Sequence, residues 1–105
     1  MRGGVDAVFA ALADERRREV VELLAARGAA TPTELARELP VTRQAVAKHL
    51  ASLYEAGLVE VSRSGREARY ALTPGPLTGA VAWIEQVGTQ WDERLAALKR
   101  HLDAH

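Results

Sequence analysis

The chain of 105 residues contains no cysteine. That excludes disulfide staples and thiolate metal ligands, and it fits a reducing cytoplasm. No apolar run reaches the roughly 18 residues that a membrane-crossing helix needs, so no membrane partner is expected. The opening stretch MRGGVDAVFAALADERRREV has neither the apolar core nor the cleavage site of a secretion signal, and Asp6 and Asp14 interrupt it. A cytoplasmic location is the expectation. There is no glycine-rich phosphate loop and no histidine set among plausible acid and nucleophile motifs, so neither enzyme chemistry nor a cofactor is expected. Net charge is missing too, since 14 basic residues balance 14 acidic ones. Taken over the whole chain, that balance argues against a nucleic-acid binder.

The distribution of charge changes this picture. Residues 1–41 carry six basic and seven acidic side chains, residues 42–70 carry five and three, and residues 71–105 carry three and four. Positive charge is therefore concentrated in the middle third. Within it, VTRQAVAKHLAS, residues 41–52, holds no acidic residue at all.

The length suits one domain with one modest core. Val5, Val8, Phe9 and Leu12 recur at helical spacing and predict a first helix over 5–12. Asp14 caps a second, whose buried side is Val20, Val21, Leu23 and Leu24 and which Gly28 ends. Thr31-Pro32-Thr33-Glu34 is a dense start signal: a capping threonine, a proline at the first helical position and a glutamate completing a capping box. Pro40 stops that short third helix. Thr42 caps a fourth running to about residue 56, with Gly57 just past its end. LVEVSR and REARYAL alternate with period two around Ser64-Gly65, which reads as a β-hairpin. Thr73-Pro74-Gly75-Pro76 then breaks the chain before a last helix over about 77–104. The fold expected is mainly α with a two-stranded β-hairpin, a winged helix-turn-helix in the order α-α-α-α-β-β-α. The helix-turn-helix would occupy about 32–56 and the wing about 58–72 of a single domain.

At about 100° per residue, Val46, Leu50 and Leu53 make the core face of the fourth helix, with Ala47 and Tyr54 flanking. Gln44, Ala45, Lys48 and Ser52 fall opposite, with His49 towards one edge. Short side chains that let a backbone approach, beside long ones that reach, suit entry into a major groove. Gln44 can pair with adenine, Lys48 can reach guanine or a phosphate, and Ala45 can touch a thymine methyl. Thr42 and Arg43 suit a phosphate at the helix start. The blander reading is a solvated helix face, and the capped helix before it and the hairpin after it weigh against that. Arg63, Arg66 and Arg69 on or beside the hairpin tip suit a phosphate backbone or a minor groove. Exposed hairpins also carry arginine for solubility, and Glu67 opposes phosphate.

These residues resemble a known family. ALADERRREVVELLA is similar to the first-helices signature of the ArsR/SmtB-type winged-helix repressors. The central block from Thr31 to Leu72 resembles that family's core, with His49, Leu50, Leu53, Ala56, Gly57, Leu58 and Val59 in its "HL…L…AGLV" positions. The tail, with Trp83 and Trp91 eight apart, looks like a subgroup that lacks metal ligands. The resemblance implies a homodimeric cytoplasmic transcription factor, usually a repressor, dimerising through its first and last helices, with double-stranded DNA as its other partner. Val5, Val8 and Phe9, with a seam of Ile84, Val87, Trp91, Leu95, Leu98 and Leu102 at coiled-coil spacing, are the residues expected at that contact. The alternative is a long helix folded back on its own core.

Many members of the family sense metals through third-helix cysteines, or through a last-helix Asp-x-His pair followed well downstream by a second His and a further ligand; this chain has no cysteine and no Asp-x-His in that arrangement. His101 and His105 stand four apart near the end beside Asp103, without an evident third ligand, so no metal site is expected. Three functions compete. The leading one is a dimeric repressor on an inverted-repeat operator. The second is a sensor whose small-molecule effector enters a pocket lined by Trp83, Trp91 or Tyr70. The third is a winged helix used for protein contacts alone.

Overall fold

The computed structural model describes residues 4–103. Helix α1 (Val5–Leu12) and helix α2 (Glu15–Arg27) meet across Ala13-Asp14, and side chains close both helix ends there. Asp14 accepts the N–H of Arg17 at 3.1 Å and caps α2. In the other direction Arg17 Nε donates to the Ala11 carbonyl at 2.6 Å, and Arg18 Nη1 donates to the Leu12 carbonyl at 2.6 Å. Carbonyls in the last turn of a helix have no intrahelical partner and sit at its negative end, so guanidinium groups suit them. The run Asp-Glu-Arg-Arg-Arg is thus a two-way joint.

Gly28, at φ 91°, leads out of α2 into a two-residue strand, β1 (Ala29–Ala30). Helix α3 (Pro32–Glu38) opens with a complete capping box: the Thr31 hydroxyl accepts from the Glu34 N–H, and Glu34 Oε1 accepts the Thr31 N–H at 2.8 Å. Helix α4 (Arg43–Glu55) is capped by Thr42, whose hydroxyl accepts from the Ala45 N–H. It ends in a Schellman motif. The Leu58 N–H donates to the Leu53 carbonyl and the Gly57 N–H to that of Tyr54, with Gly57 at φ 78°.

Strands β2 (Val59–Ser64) and β3 (Glu67–Leu72) pair antiparallel from Val59↔Leu72 to Ser64↔Glu67. The turn is therefore Gly65-Arg66, one residue later than the Ser64-Gly65 that the sequence pointed to. Strand pairing runs through Ser64, and the positive φ of Gly65 falls at the first of the two turn positions, where a tight hairpin needs it. The hairpin also gains a third strand. β1 pairs with the free edge of β3 through Ala29↔Ala71 and Ala30↔Tyr70, giving the order β1-β3-β2. Two alanines carry no strand signature, so nothing in the sequence announced it.

The core gathers Val8, Val20, Leu24, Leu35, Val46, Leu50, Leu53 and Leu58, each almost completely buried. Val8, expected at a dimer contact, thus lies inside a single chain, because α1 turns that face onto the chain's own core. Helix α5 (Pro74–Asp103) begins three residues before the expected start. Pro74 and Pro76 fall in its first turn, where N–H groups lack intrahelical acceptors, so neither breaks a bond. At 30 residues α5 is about 45 Å long, and the molecule measures 70 × 29 × 20 Å. Past Ala80 every described residue of α5 is exposed, and the helix does not fold back on the core. Among the described residues, no helix is long and apolar enough to cross a membrane.

Two carboxyls at helix starts are held below their ordinary pKa. For Asp14 the main cause is the hydrogen bond from the Arg17 N–H, and for Glu34 it is the bond from the Thr31 N–H, with partial burial opposing both. A depressed folded pKa contributes stability that is present above the unfolded value, about 4, and lost as pH falls through the folded one. Thermal melts from pH 6 to pH 2.5 should therefore show a falling Tm below about pH 4.5, with a shallower fall in Asp14→Asn. Gly57→Ala should cost about 1 kcal/mol or more in denaturant unfolding, because alanine strains at positive φ.

Candidate nucleic-acid interface

Helix α4 is held by one stripe. Val46, Leu50 and Leu53 are all at 0% exposure, packed among α2, α3 and β2. At 100° per residue, Gln44 and Lys48 lie roughly 160° from Val46 on either side, and both are exposed. They border a shallow groove with Thr42, Ala45 and Ala47. Ala45 is half-buried and forms part of the groove floor.

The two flanks of the stripe differ from expectation. Ala47 is exposed and Tyr54 is 53% exposed, although both were placed beside the core. His49, expected towards DNA, is half-buried. The body of the protein covers the His49 side of the stripe and leaves the Tyr54 side to a cleft under the wing, bordered by Ala51, Val61, Arg63 and Tyr70. Amphipathic spacing gives the centre of a buried face, but which flank is covered depends on the neighbours.

In the wing, the register places Arg63 opposite Ala68, on the face that also carries Val61 and Tyr70, and Arg66 in the turn. Arg69 lies on the opposite face, opposite Ser62. Its guanidinium is engaged within the chain, 3.4 Å from Glu34 and 3.5 Å from Glu67. The salt bridges among the described residues also take up Arg16 and Arg27. None of them uses Arg43, Lys48, Arg63 or Arg66. The structure thus separates the expected DNA contacts. Arg43, Gln44, Lys48, Arg63 and Arg66 are exposed, and none of the four cations among them enters a salt bridge among the described residues, whereas Arg69 is engaged within the chain and His49 is half-buried.

A cleft of about 510 Å³ where α3, α4 and the wing meet adds a residue that the sequence reading passed over. Arg37, in the last turn of α3, lines it with Arg43, Arg63 and Arg66. Its charge lies in the slightly acidic first third of the sequence, and only the folding of α3 against α4 brings it to the basic block.

The groups proposed for other chemistry are dispersed. Trp83 stacks edge-on against Phe9 with centroids 5.6 Å apart, Trp91 is exposed on α5 beside Val87 and Arg94, and Tyr70 on β3 borders the clefts beside the wing. His105 lies outside the described residues. Among those described, no group of three or more His, Asp or Glu is placed to hold a metal.

This arrangement of elements is found in known proteins. A sequence model of the helix-turn-helix domain matches residues 12–62. The chain is 38% identical to the HTH-type transcriptional regulator Rv2034 of Mycobacterium tuberculosis, over 94% of this chain and 89% of that protein. It is 30% identical to the arsenical resistance operon repressor of Escherichia coli, over 90% of this chain and 81% of the relative. Among solved structures, an ArsR-like transcriptional regulator from Rhodococcus sp. RHA1 superposes with a TM-score of 0.80 at 45% identity, covering 91% of this chain and 90% of that one. The chain belongs to the ArsR family of winged helix-turn-helix transcriptional regulators.

In this ArsR-family regulator the exposed face and the buried face of α4 are separable. Gln44→Ala and Lys48→Ala should change unfolding free energy by less than about 0.5 kcal/mol, as exposed sites do. Leu50→Ala, on the same helix, should cost about 2–5 kcal/mol. Urea titration of the three variants checks this.

Proposed function

We propose that the chain is a homodimeric transcriptional repressor that binds an inverted-repeat operator through α4 and the wing. The observation that carries this reading is the exposure of Gln44, Lys48, Arg43, Arg63 and Arg66 on α4 and the wing, with none of the four cations held in a salt bridge among the described residues. Gln44 is suited to bidentate pairing with adenine and Lys48 to guanine or a phosphate, from a helix that Ala45 and Ala47 leave slim enough for a major groove. Arg63 and Arg66 supply phosphate contacts beside it.

Dimerisation rests on α5. Ile84, Val87, Trp91, Leu95, Leu98 and Leu102 are 42–64% exposed in one chain. An apolar seam of this length at coiled-coil spacing is stable when a second copy covers it. Phe9, against Trp83, and Val5 extend the same surface from α1. Two α4 helices related by a two-fold axis then read half-sites about one helical turn, roughly 34–36 Å, apart. Repression is carried over from the name of the Escherichia coli relative and from steric occupation of a promoter.

Duplexes selected from a random pool should converge on a two-fold-symmetric consensus, and absence of any consensus would refute the proposal. On that site Gln44→Ala should lose about 1–3 kcal/mol of affinity and relax preference at one position per half-site. Leu95→Glu should sediment as a monomer and bind far more weakly, while wild type sediments as a dimer.

A further inference from the structure

The cleft where α3, α4 and the wing meet contains more positive charge than its composition suggests. Besides its four arginines, two carboxylates line it, Glu34 and Glu67. Neither faces those arginines as an ion-pair partner. Glu34 Oε1 accepts the Thr31 N–H at 2.8 Å and stands 3.4 Å from Arg69, and its Oε2 stands 3.6 Å from Arg27. Glu67 is 3.5 Å from Arg69. Two arginines outside the cleft lining, Arg27 and Arg69, thus neutralise the acids within it. Arg37, Arg43, Arg63 and Arg66 enter none of the salt bridges among the described residues. They come from α3, α4 and the wing and line one polar cleft of about 510 Å³. Several arginines lining one polar cleft suit an oxyanion, which accepts several charge-assisted hydrogen bonds at once. Thr31 and Thr33 add hydroxyls to the same lining.

We propose that this cleft is a phosphate seat, in which Arg37 and Arg43 of the helix-turn-helix and Arg63 and Arg66 of the wing hold one phosphate-bearing group between them. Two sources supply that chemistry: the backbone of bound DNA, and a free phosphorylated small molecule that would compete with it. The DNA source rests on the function proposed above, and the seat itself does not. Arg69 takes a positioning role. By holding Glu34 and Glu67 it keeps the cleft free of internal salt bridges.

The first arm of the test uses no DNA. Tripolyphosphate is titrated calorimetrically into the full chain, the Arg37→Ala/Arg63→Ala double variant and Lys48→Ala, each checked by circular dichroism for an unchanged helical signal. Saturable binding is expected to the wild type and to Lys48→Ala, and about tenfold weaker or lost in the double variant, since two charge-assisted contacts go. No binding to the wild type, or binding equally tight in the double variant, overturns the seat whatever DNA does. The second arm measures affinity for duplex DNA against salt for wild type and Arg37→Ala. With the first arm positive, a log–log salt slope reduced by about 1 in Arg37→Ala assigns the seat to a backbone phosphate. With the first arm positive, an unchanged slope assigns it to a free phosphorylated compound. A protein that binds tripolyphosphate in the cleft but binds no DNA retains the seat and loses the operator-binding proposal, so the two fail separately.

Discussion

The burial of Val46, Leu50 and Leu53 is the constraint on which the rest of the molecule depends. A helix of 13 residues is marginal by itself in water, and α4 exists because this stripe is covered by α2, α3 and β2. Each of the three side chains contributes roughly 1.5–3 kcal/mol by leaving water. Their burial also fixes how α4 is rotated about its own axis, which is the functional consequence. Once that stripe faces inward, Gln44 and Lys48 must face outward, and the Tyr54 flank must lie beside the wing.

The second organising feature is where the carboxylates go. Several of the acids are committed to caps and salt bridges away from the exposed cations of α4 and the wing. Asp14 caps α2, Glu34 closes the capping box of α3, and Glu19, Glu38 and Glu67 stand in salt bridges with Arg16, Arg27 and Arg69. Exposed pairs of this kind contribute little to stability. Their consequence lies in placement, since Arg43, Lys48, Arg63 and Arg66 enter none of the salt bridges among the described residues. Net charge was for this reason a poor guide to what the chain binds, and the local balance over residues 42–70 a better one.

Much of this was legible in the sequence, and what was not has a common cause. Helix starts and stops are local chemistry, so Asp14, Thr31, Thr42, Gly28 and Gly57 announced them. The apolar seam of α5 was legible because its period is local too. Tertiary placement decided the rest. Val8 and Phe9 look alike in a helical pattern, yet one is sealed in the core and the other stacks on Trp83. Arg66 and Arg69 look alike in a basic wing, yet strand alternation gives Arg69 to Glu34 and leaves Arg66 in the turn. Arg37 lay outside the basic block and reaches it only through the packing of α3. The prolines before α5 read as a break because the pattern did not show that the first helical turn begins on them.

The central claim is that two copies of α4 face one duplex together. The absence of native cysteine makes a direct measurement simple. Ser52→Cys, on the exposed side of α4, would carry a single iron-chelate cleavage reagent per chain. Bound to a selected duplex, it should cut in two clusters about one helical turn, roughly 10 base pairs, apart. A single cluster, or cleavage spread evenly along the duplex, would contradict the account.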